Sequence, residues 1–184
     1  MLRRVLVFVL ALALVGGLSA CGNKQSKTLK AETEGTYVDL GDLKYQVEIS
    51  RQLNPADVED REYLKGVNAV NGPDDVWFAV FVRVQNESDK TQKPATAYEI
   101  TDTQGNTYTP VSIDTKSNDF AYDPVPIVGK GLLPNPDSIA AQNSINGQLL
   151  LFQIPRTSLD NRPLELKITN PSDSQQVATV NLDV

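Results

Sequence analysis

Three sets of residues in this 184-residue chain have types and spacings that could carry chemistry. One is a lone thiol, Cys21, just after an apolar N-terminal run. Another is two pairs of carboxylates, Asp74-Asp75 and Asp119 with Asp123. The last is a pair of aromatics between acids, in Asp119-Phe120-Ala121-Tyr122-Asp123-Pro124. The chain has no His, and its one Met is the initiator. Zinc, blue-copper, haem and iron–sulfur sites therefore lack their usual ligands. Ser-His and Cys-His nucleophilic pairs cannot form. A carboxylate pair can cleave a glycosidic bond without imidazole. A sugar cleft usually needs several aromatics, however, and the chain has one Trp. Oxygen ligands suit calcium, but no Asp-x-Asp-x-Asp-Gly loop occurs, so no metal site is expected. No Gly-x-Ser-x-Gly, Ser-x-x-Lys or Walker-type loop occurs either. The expectation is a non-enzyme without cofactors, with a carboxylate-dependent hydrolase such as a glycosidase as an alternative.

The elements around Cys21 explain it. Met1-Leu2-Arg3-Arg4 is a short basic start, and Val5 to Val15 are eleven apolar residues. At about 1.5 Å per residue such a helix falls short of a hydrocarbon core of about 30 Å. Gly16-Gly17 interrupts it. A basic start, a short apolar core and small residues after it define a secretory signal peptide over residues 1–20. Leu18-Ser19-Ala20-Cys21 resembles the lipobox of bacterial lipoproteins. That resemblance implies cleavage before Cys21, a diacylglycerol on its thiol, and a membrane anchor made of acyl chains. Two or more chains anchor stably, because each buried CH2 adds about 0.8 kcal/mol.

The charge is 17 basic against 23 acidic residues, a net −6, with a pI near 4.7. Losing Arg3 and Arg4 with the signal makes the mature chain −8. This acidity argues against nucleic acid or anionic lipid as a partner of the folded part. Exported proteins can form disulfides, but no second Cys exists here.

Residues 21–36 are polar, with one Leu, and read as a lipidated flexible tether. From Tyr37 to Val184 the pattern has period two. Leu43, Tyr45, Val47 and Ile49 alternate onto one face. Val76 to Val84 is apolar on both faces, which marks a central strand. Tyr98–Asp102 and Thr107–Val111 read as a hairpin around Gly105. Further strands are expected over Asn146–Ile154, Leu164–Ile168 and Val177–Val184. About seven strands at short spacing predict an all-β, antiparallel sandwich over residues 37–184. One connector helix is expected from Asn54 as N-cap, with Pro55 in its first turn and Leu53 stapled to Val58, to a stop at Gly66. The connection Ser112–Ser144 is long for a structureless loop. Its Asp119, Phe120, Tyr122 and Asp123 are either a contact surface or, for the two rings, a minor core under the end of the sandwich.

Lipobox, tether, Val-rich strand ending at Asn86, Gly-turn hairpin and the late strand Gly147–Pro155 come in an order that resembles a known group. This is the uncharacterised immunoglobulin-like extracellular domain of bacterial lipoproteins, similar in fold to a secreted mycobacterial immunoprotective antigen. The resemblance implies an immunoglobulin-like sandwich on the extracytoplasmic side and carries no catalytic or binding residues. The antibody Cys pair and strand-C Trp are not reproduced as a set. The expected role is a lipid-anchored interaction module of the cell envelope, whose partner is another envelope protein or a cell-wall polymer. A small-ligand-binding lipoprotein is the alternative.

Overall fold

Period-two alternation becomes two packed sheets in the computed structural model, which describes residues 27–182. The expected signal peptide, Cys21 and the first part of the tether lie outside the described residues. The strands are β1 Lys30–Ala31, β2 Tyr37–Leu40, β3 Leu43–Leu53, β4 Asp75–Asn86, β5 Ala97–Thr101 and β6 Thr107–Tyr108. They continue as β7 Leu132–Leu133, β8 Gln148–Pro155, β9 Leu164–Asn170 and β10 Asp173–Leu182. One sheet has the order β1-β10-β9-β5-β6. The other has the order β2-β3-β4, and the far edge of β4 is shared by β8 along Asp75–Val82 and by β7 at Val84–Gln85. This is a β-sandwich.

The two faces of β4 build two apolar layers. Val76, Phe78, Val80, Val82 and Val84 point between the sheets, where they meet Ile100, Leu166, Ile168 and Val180. Trp77, Ala79 and Phe81 point outward into a second cluster with Leu53, Tyr63, Leu149 and Leu151. Each large apolar side chain withdrawn from water contributes roughly 1.5–3 kcal/mol. The central placement expected for this strand is therefore correct, and the structure covers both of its faces.

Several details differ from the sequence expectation. Residues 28–36, expected to be tether, belong to the domain: Ala31 is buried, and the Ser50 amide and hydroxyl donate to the Glu34 carboxylate. The sandwich is not wholly antiparallel, because β1 runs parallel to β10. Ile49 does not share a face with Leu43, Tyr45 and Val47. A bulge between Val47 and Ile49 inserts one residue and reverses the phase of the strand, leaving Ile49 36% exposed. Beyond the bulge Leu53 faces the outer cluster, opposite Trp77.

The helix is also shorter than expected. α1 spans Val58–Tyr63, and its N-cap is Asp57, whose side chain accepts from the amides of Glu59 and Asp60. Asn54 instead caps the preceding turn, accepting from Ala56 N at 3.0 Å. The expected staple is absent, because Val58 is 68% exposed. Gly66 ends the segment as expected, at φ +68°. A Cβ there would strike the Ser117 hydroxyl and crowd Asp114. The helix is pinned by Asp60, a buried carboxylate paired with Arg51 and accepting from Asn54 N at 2.7 Å. Burial pushes the Asp60 carboxyl up, but Arg51 and the Asn54 amide outweigh it and hold it below the usual range.

Because β4 is buried on both faces, an ion placed at its centre has no partner within reach. Val80→Asp should abolish folding, read as loss of a cooperative thermal transition. Val70→Asp, at a site 91% exposed, should leave the transition within a degree or two, as surface changes usually cost under about 0.5 kcal/mol.

Candidate contact surface and cleft

The long connection begins as a strap across the free edge of β8. Leu149 N donates to Phe120 O at 2.7 Å, and Tyr122 N donates to Leu149 O at 3.0 Å. Val111 N donates to Leu151 O at 2.7 Å. These bonds satisfy an edge that would otherwise present open backbone groups. Asn118 fixes the turn before the strap. Its side-chain amide donates to Tyr63 O and Lys65 O, both at 2.9 Å, and its carbonyl accepts from Phe120 N at 2.9 Å.

The strap sends its two aromatics to different layers. Phe120 packs edge-on against Tyr63 at 4.8 Å, and Tyr63 packs edge-on against Phe81 at 5.0 Å. Tyr122 turns toward the inter-sheet core and packs edge-on against Tyr98 at 5.2 Å. Of the four residues expected at a contact surface, Asp119 is exposed and Asp123 half-buried, while neither ring stands free as an anchor. The minor-core alternative describes Phe120 and Tyr122.

Tyr122 belongs to a chain of buried hydroxyls that the sequence did not single out. Tyr98 OH donates to Tyr122 OH at 2.8 Å, and Tyr122 OH donates to Ala95 O at 2.8 Å. Ala95 N donates to Tyr45 OH at 2.8 Å. Phenols from β3 and the strap thus meet at the backbone of one residue, Ala95, and the β5 phenol joins them through Tyr122. Burial pushes the Tyr45 phenol up to about 12 and raises the Tyr98 and Tyr122 phenols well above their ordinary range.

Beside this network lies an apolar cleft of about 230 Å³, lined by Tyr98, Tyr122, Pro110, Ile113, Pro124 and Leu150. Its roof is held by the β5–β6 hairpin. There Asp102, nearly buried, accepts from Asn106 Nδ2, Asn161 Nδ2 and the amides of Gln104 and Asn106. The Asn106 side-chain amide and the other donors hold the Asp102 carboxyl down at about 2.

The carboxylate pairs do not form a shared acid–base site with free partners. Asp75 accepts from Gln153 Nε2 at 2.7 Å, while Asp74 is exposed and its carbonyl accepts from Arg156 N. Among the described residues, no group of three or more His, Cys, Asp or Glu could hold a metal ion.

Two outcomes follow from the tyrosine network. Tyr122→Phe should cost about 1–3 kcal/mol, because the Ala95 carbonyl loses its donor. Tyr122→Ala should cost 3 kcal/mol or more, in the range of about 3–5 for deleting a buried aromatic. Both are read by denaturant titration. The phenols also set an alkaline limit. Folding keeps them neutral, so their contribution is full below about pH 10, the unfolded pKa, and falls as pH rises through about 12. Phenolate absorbance from these tyrosines should therefore rise together with loss of the far-ultraviolet strand signal. Smooth titration at pH 10 in the folded protein would contradict the network.

No protein-family model matches the chain, and no curated protein matches it in sequence. Among solved structures it is similar to the yjhA protein from Bacillus subtilis, with a TM-score of 0.49 and 11% identity, over 83% of this chain and 99% of that one. It is also similar to an uncharacterized beta-sandwich protein from Clostridium difficile, with a TM-score of 0.47 and 12% identity, over 86% of this chain and 99% of the other.

Proposed function

We propose that this protein is a lipid-anchored, non-enzymatic interaction module on the extracytoplasmic side of a bacterial cell envelope. The observation that carries this reading is positional. Leu18-Ser19-Ala20-Cys21 precedes Lys27, the first residue of the described domain, by only a few residues. Six residues span at most about 20 Å, at roughly 3.3–3.6 Å each. A cleaved, acylated Cys21 would hold the sandwich close to a bilayer. The resemblance to immunoglobulin-like lipoprotein domains, and through them to the mycobacterial antigen, supports the same placement. The partner is another envelope protein or a cell-wall polymer, met on the protruding turns.

Small-ligand binding by an apolar pocket would use the cleft beside Tyr122, since the larger groove of about 480 Å³ between Gly41 and Ser88 is open and lined by charged groups. That cleft is about 230 Å³, below the roughly 300–1,000 Å³ of ordinary ligand pockets. Its two hydroxyls are engaged with each other and with Ala95. A hydrolase would need two carboxylates in a cleft about 5–9 Å apart. Asp75 is held by Gln153, and Asp119 lies exposed on a turn.

Cys21→Ser tests the anchor. The variant should leave the membrane fraction or persist as a precursor that still carries residues 1–20. Processing and membrane retention like the unchanged protein would overturn the reading. Crosslinking in intact envelopes tests the rest. Capture of one protein or one polymer by the anchored chain is expected, and turnover of a glycan by the purified chain would favour the hydrolase.

A further inference from the structure

The end of the sandwich where the described chain begins is unlike the rest of the molecule. It consists of the Leu40–Leu43 turn and the segments 86–93, 128–131 and 170–173. Their mutual bonds, and a cleft lined jointly by Gly41, Lys93 and Pro171, bring them to one pole. Lys27 Nζ donates to Gly41 O at 2.7 Å, Glu87 N to Asp42 O at 3.1 Å, and Lys130 N to Ser88 O at 3.0 Å. Asn86, fully buried, ties two of these turns together by donating to Lys90 O, Ile127 O and Val128 O. A groove between Gly41 and Ser88 is rimmed by Lys27, Lys44 and Glu87 and has a volume of about 480 Å³.

Charge divides the molecule at this pole. Five lysines, Lys27, Lys44, Lys90, Lys93 and Lys130, stand against five carboxylates, Asp39, Asp42, Glu87, Asp89 and Asp173. The other described residues carry 9 basic against 17 acidic groups. All the excess negative charge of the described domain therefore lies away from the pole. Several of the pole's carboxylates are engaged: Glu87 pairs with Lys44 at 2.9 Å, Asp89 with Lys130 at 3.5 Å, and Asp42 accepts from Gln92 at 3.0 Å. Lys90 and Lys93 are exposed and project from one turn. Beside them Val128 is 65% exposed, an apolar side chain among ammonium groups.

We infer that this pole is a membrane-contact face, seating Lys27, Lys90, Lys93 and Val128 on the headgroups of an anionic bilayer. The inference deepens the proposed function and rests on the Cys21 anchor, which brings this end to the lipid first. Screening confines electrostatics to about 8 Å at physiological salt, so the surface senses the pole and not the acidic remainder. Each lysine near an anionic leaflet strengthens contact by a factor of about five. Lysine stems lie along the interface while their ammonium groups stay hydrated. The acidic turn at the far end, Asn54–Asp74, with five carboxylates against two basic residues, then points away from the bilayer toward a partner. This departs from the expectation drawn from net charge, which averages over the whole domain.

The test uses the full acylated chain. With Cys21 acylated no other thiol remains, so one introduced cysteine reports its own position. Thr91→Cys places a fluorophore at the pole, and Gln104→Cys places one at the tip of the distal hairpin. Each protein is reconstituted in vesicles of phosphatidylcholine alone or mixed with phosphatidylglycerol, with nitroxide-headgroup lipid as quencher. In the mixed vesicles quenching at position 91 should exceed that at 104 by about threefold or more, within the factor of about five that a single lysine supplies. Lys90→Glu with Lys93→Glu, or high salt, should remove the difference while the protein still sediments with vesicles. Equal quenching at the two positions, or a ratio indifferent to phosphatidylglycerol, overturns the membrane-contact face and leaves the anchor standing. Failure to sediment with phosphatidylcholine vesicles overturns the anchor, and the contact face with it.

Discussion

Burying β4 on both faces is the constraint on which the rest of the structure depends. A strand with Phe78 and Val80 on one side and Trp77 and Phe81 on the other cannot be left as one wall of a simple two-layer sandwich. Its outer face would expose a contiguous aromatic patch of the kind that drives association. The chain covers that face with its own connections: α1, the segment around Val67 and Ala69, the strap through Val111, Ile113 and Phe120, and Ile145. Long loops here are a third layer of the core, which is why so much irregular chain is ordered.

Irregular chain laid over a sheet must settle its backbone hydrogen bonds without a ladder. Two buried asparagines do this. Asn118 serves the end of α1 and the strap, and Asn86 serves the turns that follow β4 and precede β7. An amide side chain carries two donors and an acceptor that mimic a peptide group. Each asparagine therefore stands in for a missing strand partner. The tyrosine network around Ala95 plays the same part between the sheets.

The same covering limits the cavities on this side of the domain. The strap crosses the free edge of β8 and leaves the small cleft beside Tyr122 there, while the groove of about 480 Å³ lies at the Lys27 end. What remains for recognition is the two ends, and they differ in charge. The turns near Lys27 are balanced, while the acidic excess is spread over the rest of the domain, Asn54–Asp74 at the far end included.

The central strand, the hairpin at Gly105, the stop at Gly66 and the all-β class were legible in the sequence. Each is set by a local rule: period two, a loop glycine, or a helix-ending positive φ. The carboxylates and aromatics at 119–123 were legible as a cluster, but their fate was not. Whether Phe120 is an anchor or a core residue depends on Tyr63 and Phe81 being within about 5 Å, and both are remote in sequence. The phase reversal at the Val47/Ile49 bulge is invisible to alternation, because an inserted residue has no signature of its own in an apolar–polar string. The strand at Lys30–Ala31 exists only because the edge of β10 is there to receive it. Two residues lack the hydrophobic signal to form it alone. The sequence by itself determined the long strands, the lone thiol and the acidic total. Tertiary structure decided which aromatics are buried, where the domain starts and how its charge is divided between the ends, because those depend on contacts between segments far apart along the chain.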